Sequence, residues 1–289
     1  DTFRTLTAVD SVIIVIDSAK GVEKQTRRLM EVCRMRHTPV IVFINKLDRE
    51  GRDAFDLLDE IESELAIKVC PMTWPIGMGE RFKGVYNLFK STLSLFKSDK
   101  QHVANDVVEI ESLSDPRLSE YLGEAQADQL REESTLVTEV YPNPDLDAYR
   151  KGLQAPVFFG SALNNFGVNE LLRCFIEIAP CPGEVLAKER IVSPFEPTFS
   201  GFVFKIHANM DPNHRSSIAF VKVCSGRFVR NEYYRHIRLD KKLRFASPTA
   251  FMAQKKELLE EAFAGDIVGL PDTGNFKIGD TLTEGEELH

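Results

Sequence analysis

Four consecutive residues, Asn45-Lys46-Leu47-Asp48, combine an amide, a cation and a carboxylate directly after an apolar run. A carboxylate at Asp48 accepts two parallel hydrogen bonds, which matches the ring N–H and exocyclic amino group on one edge of guanine and has no counterpart on the same edge of adenine. Lys46 has an alkyl stem long enough to lie on a base plane, and the Asn45 amide, donor and acceptor at once, can tie its loop to neighbouring loops. A second short element, Ser161-Ala162-Leu163, follows a later apolar run. The backbone N–H of Ala162 is the expected donor to the guanine carbonyl oxygen, since a small residue lets the backbone come close.

On average composition, three specified residues in an NKxD pattern arise by chance in about one chain of this length in thirty. Placement therefore has to decide. Val40-Ile41-Val42-Phe43-Ile44 reads as a strand buried on both faces, and ligands of open parallel sheets bind beyond the carboxyl ends of such strands. Val12-Ile13-Ile14-Val15-Ile16 reads the same way, and a helical stretch from Lys24 to Met35 lies between the two. Strand, helix and strand make a right-handed βαβ unit, the mark of an α/β domain. A further helix is expected from Arg52 to Leu65, a strand at Val157-Phe158-Phe159 and a helix from Val168 to Ile178.

The α/β domain is expected to span residues 1–183, with an inserted subdomain at about 66–153. Pro180, Pro182, Pro194 and Pro197 mark a linker at 184–197. From 198 to 289 the pattern becomes short strands: Gly201 to His207, Ser217 to Val223, Tyr233 to Leu239, Thr249 to Ala253 and Asp266 to Leu270. Turn residues separate them, as in a small antiparallel β-barrel, with a helix allowed only near Leu258.

The chain has 289 residues, 43% of them hydrophobic, and a formal charge of −8. No run is long enough to cross a bilayer, and the first residues, from Asp1, carry no signal-peptide pattern, which points to a piece of a longer protein in the cytoplasm. Cys33, Cys70, Cys174, Cys181 and Cys224 form no CxxC pair, so neither a zinc site nor a disulfide framework is expected. Charge is uneven: residues 98–140 hold eleven Asp and Glu against three Lys and Arg, whereas 201–250 hold ten Lys and Arg against three Asp and Glu. Within the basic segment Arg215, Arg227, Arg235, Arg238, Lys241, Lys242 and Arg244 are candidate RNA contacts, with edge-strand protection as the competing explanation. Asp17 reads as a turn or cap residue and not as a metal ligand. His37, His207, His214 and His236 read as surface or packing residues.

The pair NKLD and SAL resembles the base-recognition motifs of translational GTPases. Four stretches are similar to the release factor 3 branch of that family: Thr73 to Gly77, Phe82 to Tyr86, Pro156 to Leu163, and Gly201 to Pro212. The resemblance implies a partial P-loop-type GTPase domain with GTP or GDP bound by Asn45, Lys46, Asp48, Ser161, Ala162 and Leu163. It also implies the ribosome and class-I release factors as partners. The family's GxxxxGK[ST] loop does not occur in the 289 residues, and its DxxG segment and threonine loop, which with that loop hold phosphate and Mg²⁺, do not map onto them. By the resemblance they would precede Asp1, so no catalytic residue maps onto this chain, Mg²⁺ is expected only in the full-length parent, and the chain alone is expected to be inactive as a GTPase. The alternatives are an elongation factor G or ribosomal protection relative, or a ribosome-binding module without catalysis.

Overall fold

The computed structural model describes residues 2–96, 105–208, 217–252 and 255–289. The chain divides into two compact units, Ser11–Ala179 and a second made of Asp1–Asp10 with Pro180–His289. A short helix α1 (Thr2–Leu6) belongs to the second unit.

The unit Ser11–Ala179 is built on β1 (Val12–Asp17), α2 (Lys24–Met35), β2 (Val40–Asn45), α3 (Ala54–Leu65) and β3 (Lys68–Pro71). A second sheet follows, made of β4 (Thr73–Ile76), β5 (Gly84–Asn87), β6 (Thr92–Phe96) and β7 (Asn105–Glu109). Then come α4 (Arg117–Leu122), α5 (Glu124–Val140), α6 (Leu146–Arg150), β8 (Gln154–Phe159) and α7 (Val168–Ile178). β1, β2, β8 and β3 lie in that order in one parallel sheet, while β4 to β7 form an antiparallel meander. β2 and β8 are adjacent, so the ends of the two strands that carry the candidate motifs emerge side by side.

The sequence explains these elements locally. β2 and β8 are buried almost throughout, as central strands with both faces covered must be. α3 starts where the Asp53 carboxylate accepts the N–H groups of Phe55 and Asp56, a side-chain N-cap. Trp74, fully buried, packs against Phe55 and Phe159 at ring-centroid distances of 4.7 and 5.4 Å, which joins β4 to both α3 and β8.

Two expectations are corrected by the sheet. β1 is not buried on both faces: Ile13 and Val15, which share one face, are 38% and 55% exposed, while Ile14 and Ile16 on the other face are buried. Lys68–Pro71, inside the range expected for an insertion, is instead the opposite edge strand, pairing in parallel with Gln154–Val157 of β8. The antiparallel sheet starts directly after it, at Thr73.

In the other unit the chain forms β9 (Val185–Leu186), β10 (Ile191–Val192), β11 (Ser200–Ala208), β12 (Ser217–Ser225), β13 (Arg227–Val229) and β14 (Tyr233–His236). β15 (Lys241–Arg244), β16 (Thr249–Met252), β17 (Lys255–Leu258), β18 (Glu261–Phe263), β19 (Ile267–Asp272) and β20 (Thr281–Thr283) complete it. Eight strands form an antiparallel sheet in the order β15-β14-β20-β11-β12-β19-β16-β17, and β13 pairs with β18. Both sheets close on one core that includes Phe199, Val221, Phe228, Tyr234 and Leu282. Leu258, where the sequence allows a helix, ends a strand. The expected linker contains a hairpin, β9 with β10, whose Arg190 guanidinium pairs with both Glu196 and Glu286.

The described residues of this unit include a nearly buried ion pair. Lys222 Nζ lies 2.9 Å from Asp10 Oδ2, and Asp10 Oδ1 also accepts the Gly183 N–H. The pair fixes the segment after α1 to β12.

Candidate functional site

The turn after β2 is unusual for its residue type. Lys46 has φ +70°, a left-handed conformation that a side chain with a Cβ rarely adopts. Several bonds hold it there. The Asn45 Oδ1 accepts the Lys46 N–H at 2.9 Å, the Ser18 hydroxyl donates to the Lys46 carbonyl at 3.3 Å, and Leu47, fully buried, donates its N–H to the Gly160 carbonyl at 3.1 Å. Asn45 and Asp48 are left half-buried on either side of that anchor.

The second loop follows β8. Ser161 and Phe166 exchange both backbone hydrogen bonds at 2.9 Å, closing a tight loop around Ala162 to Asn165. Glycine is required at both ends: a Cβ on Gly160 or on Gly167, which has φ +72°, would run into the carbonyl oxygen of Phe166 or Phe159.

The two loops are bonded to each other. Asn45 Oδ1 accepts the Ala162 N–H at 2.8 Å, and the Asn164 amide donates to Asp48 Oδ2 at 3.0 Å. The fold thus brings Asn45, Asp48, Ser161 and Ala162 into one cluster. Leu163 stands outside it, 81% exposed at the loop tip. The Ala162 N–H, expected to meet a base carbonyl, is given to Asn45; the amide that ties the loops also takes the donor. Asn164 is the member that sequence reading missed, because an Asn-Asn pair before Phe-Gly reads as turn chemistry.

Lys46 is placed by a third strand end. Its ammonium lies 2.6 Å from Asp17 Oδ2, and Asp17 Oδ1 also accepts the N–H groups of Ala19 and Lys20, the turn role expected of it. The Lys46 hydrogen bond, with the two backbone donors, holds the Asp17 carboxyl below its ordinary value against the opposing effect of burial. A carboxylate offers about four acceptor directions, so Asp48 can hold Asn164 and still receive two donors from a base edge.

The basic candidates are less available than their number suggests. Arg227 pairs with Glu261, Arg235 with Asp240 and the Gly285 carbonyl, and Arg238 with Asp280 and the Asn275 carbonyl. Lys241, Lys242 and Arg244 lie on β15, the end strand of the eight-stranded sheet, each exposed, with Arg244 over the Tyr233 ring. Arg215 and His214, and the Asn209 to Pro212 part of the resemblance, lie outside the described residues. His236 is fully buried, bonded to Asp280 at 2.9 Å and accepting the Leu239 N–H on Nδ1. Among the described residues no group of three or more His, Cys, Asp or Glu is placed to hold a metal. No helix among them is long and apolar enough to cross a membrane.

Residues 1–181 match the family model of the elongation factor Tu GTP-binding domain. The chain belongs to that family. Residues 198–285 of this translational GTPase chain match a second model, elongation factor G domain 2. A crystal structure of a Thermus thermophilus protein shares its fold, with 22% identity and a TM-score of 0.72 over 98% of this chain and 42% of that one. The chain therefore spans well under two thirds of that protein. The parallel sheet with its helices is the GTPase domain, followed by a curled antiparallel β domain.

Proposed function

We propose that Asn45, Lys46, Asp48, Ser161 and Ala162 read the guanine base of GTP or GDP, with Asp48 selecting the base and Asn45 locking the two loops together. The observation that carries this is the double tie between the loops, Asn45 to Ala162 and Asn164 to Asp48. It presents a carboxylate, at the end of a central strand, beside a loop held close by glycines. GDP and xanthosine diphosphate titrations of wild type and Asp48→Asn test it, since xanthine replaces the amino donor with a carbonyl and suits an Asn amide.

For the whole protein we propose GTP hydrolysis coupled to an event on the ribosome, in the cytoplasm. Hydrolysis needs phosphate cradling, Mg²⁺ and a placed water, and no GxxxxGK[ST] loop occurs among these residues, so base recognition is the part of that reaction we assign to the 289-residue chain. The event we propose is removal of class-I release factors, supported by the four stretches from Thr73 to Gly77, Phe82 to Tyr86, Pro156 to Leu163 and Gly201 to Pro212. The match of residues 198–285 to elongation factor G domain 2 favours a second reading, a translocation-type factor. Release-factor recycling and translocation assays on the whole protein separate the two. On the ribosome, Lys241, Lys242 and Arg244 are the cations we propose for phosphate contact. Charge reversal at Lys241 and Lys242 should then lower the salt dependence of binding, and an unchanged slope removes that role.

A further inference from the structure

The antiparallel sheet β4 to β7 touches both base-reading loops, and its contacts are specific. The Phe96 ring, at the end of β6, stacks on Phe166 with centroids 4.2 Å apart and planes 2° from parallel. Phe82, just before β5, leans on both rings at 5.5 Å from Phe96 and 6.3 Å from Phe166. Phe166 is the residue whose two backbone bonds to Ser161 close the loop that carries Ala162. The same sheet region reaches the other loop, where the Gly79 N–H donates to the Leu47 carbonyl at 2.9 Å. Ser94 on β6 also bonds to Glu170 in the first turn of α7, the helix that follows the Phe166 loop.

We propose that Phe96, backed by Phe82, is a positioning residue for guanine recognition: its stack on Phe166 sets where Ala162 stands against Asn45. The inference rests on the guanine reading above but is not identical with it. Neither Phe82 nor Phe96 belongs to the base cluster itself, and each acts through Phe166. Loss of the stack frees the loop closure, and the Ala162 to Asn45 bond then opens more often. A positioning role lowers affinity for every base alike, whereas a selecting role such as that of Asp48 changes the preference between bases.

The experiment uses the 289-residue chain and two readouts. In the first, amide hydrogen exchange at Ala162 and Phe166 is measured by NMR for wild type, Phe96→Ala, Phe96→Leu and Phe96→Tyr, with Phe89→Ala, an exposed residue of the same unit, as control. Exchange should rise about tenfold in Phe96→Ala and severalfold in Phe96→Leu, which keeps apolar volume without the stack, and stay near wild type in Phe96→Tyr and the control. In the second, GDP and xanthosine diphosphate affinities should fall together in Phe96→Leu with their ratio unchanged. Wild-type exchange at Ala162 in Phe96→Leu, or a changed base ratio, overturns the proposal. A wild-type chain with no base preference would defeat the guanine reading alone, and the exchange arm would still decide whether the stack positions the loop.

Discussion

Asn164 donates its side-chain amide to Asp48 Oδ2 at 3.0 Å across 116 residues of sequence. The bond holds the carboxylate on a defined side of the cluster while leaving it acceptor capacity. Asn164→Ala is expected to weaken guanine-nucleotide binding by about three- to tenfold, the worth of one hydrogen bond of about 1 kcal/mol, without reversing base preference. Calorimetric titration of the variant with GDP checks this, and tighter binding would mean that Asn164 competes with the base.

Asn45 serves two backbone donors, the N–H groups of Lys46 and Ala162. Asn45→Ala removes both bonds and leaves the left-handed Lys46 with less support. A loss of about 1–3 kcal/mol in unfolding free energy of this unit is expected, read by urea titration of Trp74 fluorescence. Wild-type stability would show that the Gly160 to Leu47 backbone bond suffices to hold the turn.

Acid should loosen the Lys46 anchor. The Asp17 carboxyl, bonded first by Lys46, titrates below its ordinary 3.8 in the folded chain, so its contribution to stability is complete above that value and is lost as pH falls through the lower folded value. An NMR titration of the Asp17 carboxyl carbon should give a midpoint below 3.8 that moves up in Lys46→Ala. An unmoved midpoint would assign the shift to the Ala19 and Lys20 backbone donors.

Lys222 is almost wholly buried against Asp10. Asp10→Ala leaves a buried cation without its partner and is expected to cost about 3 kcal/mol of stability, whereas Lys222→Met with Asp10→Leu should recover much of it. Thermal unfolding of the single and double variants tests this.

Much of the framework was legible because hydrophobic periodicity carries it. α2 and α7 span the stretches that the apolar pattern marks, and β2 stands at the run before Asn45. What failed depends on neighbours far along the chain. The β-branched run of β1 says only that a strand forms; that the face carrying Ile13 and Val15 is uncovered depends on what packs on it, which the run does not encode. Lys68–Pro71 is four residues long and shows its sheet only through β8. The basic segment reads as an open cationic face until Glu261 and Asp280 fold back onto Arg227 and Arg238. The site was half visible: Asn45 and Asp48 by type and spacing, Asn164 only through the bond it makes, and the Ala162 N–H only by finding its acceptor to be Asn45.

Base selection by Asp48 is the claim on which the rest stands. The most direct measurement compares GDP and xanthosine diphosphate binding to wild type and Asp48→Asn. Wild type should prefer GDP, and Asp48→Asn should lose about 10- to 100-fold for GDP and prefer the xanthine nucleotide, the worth of hydrogen bonds to a charged carboxylate. Equal affinity of the wild type for the two nucleotides, or a GDP affinity untouched by Asp48→Asn, would contradict it.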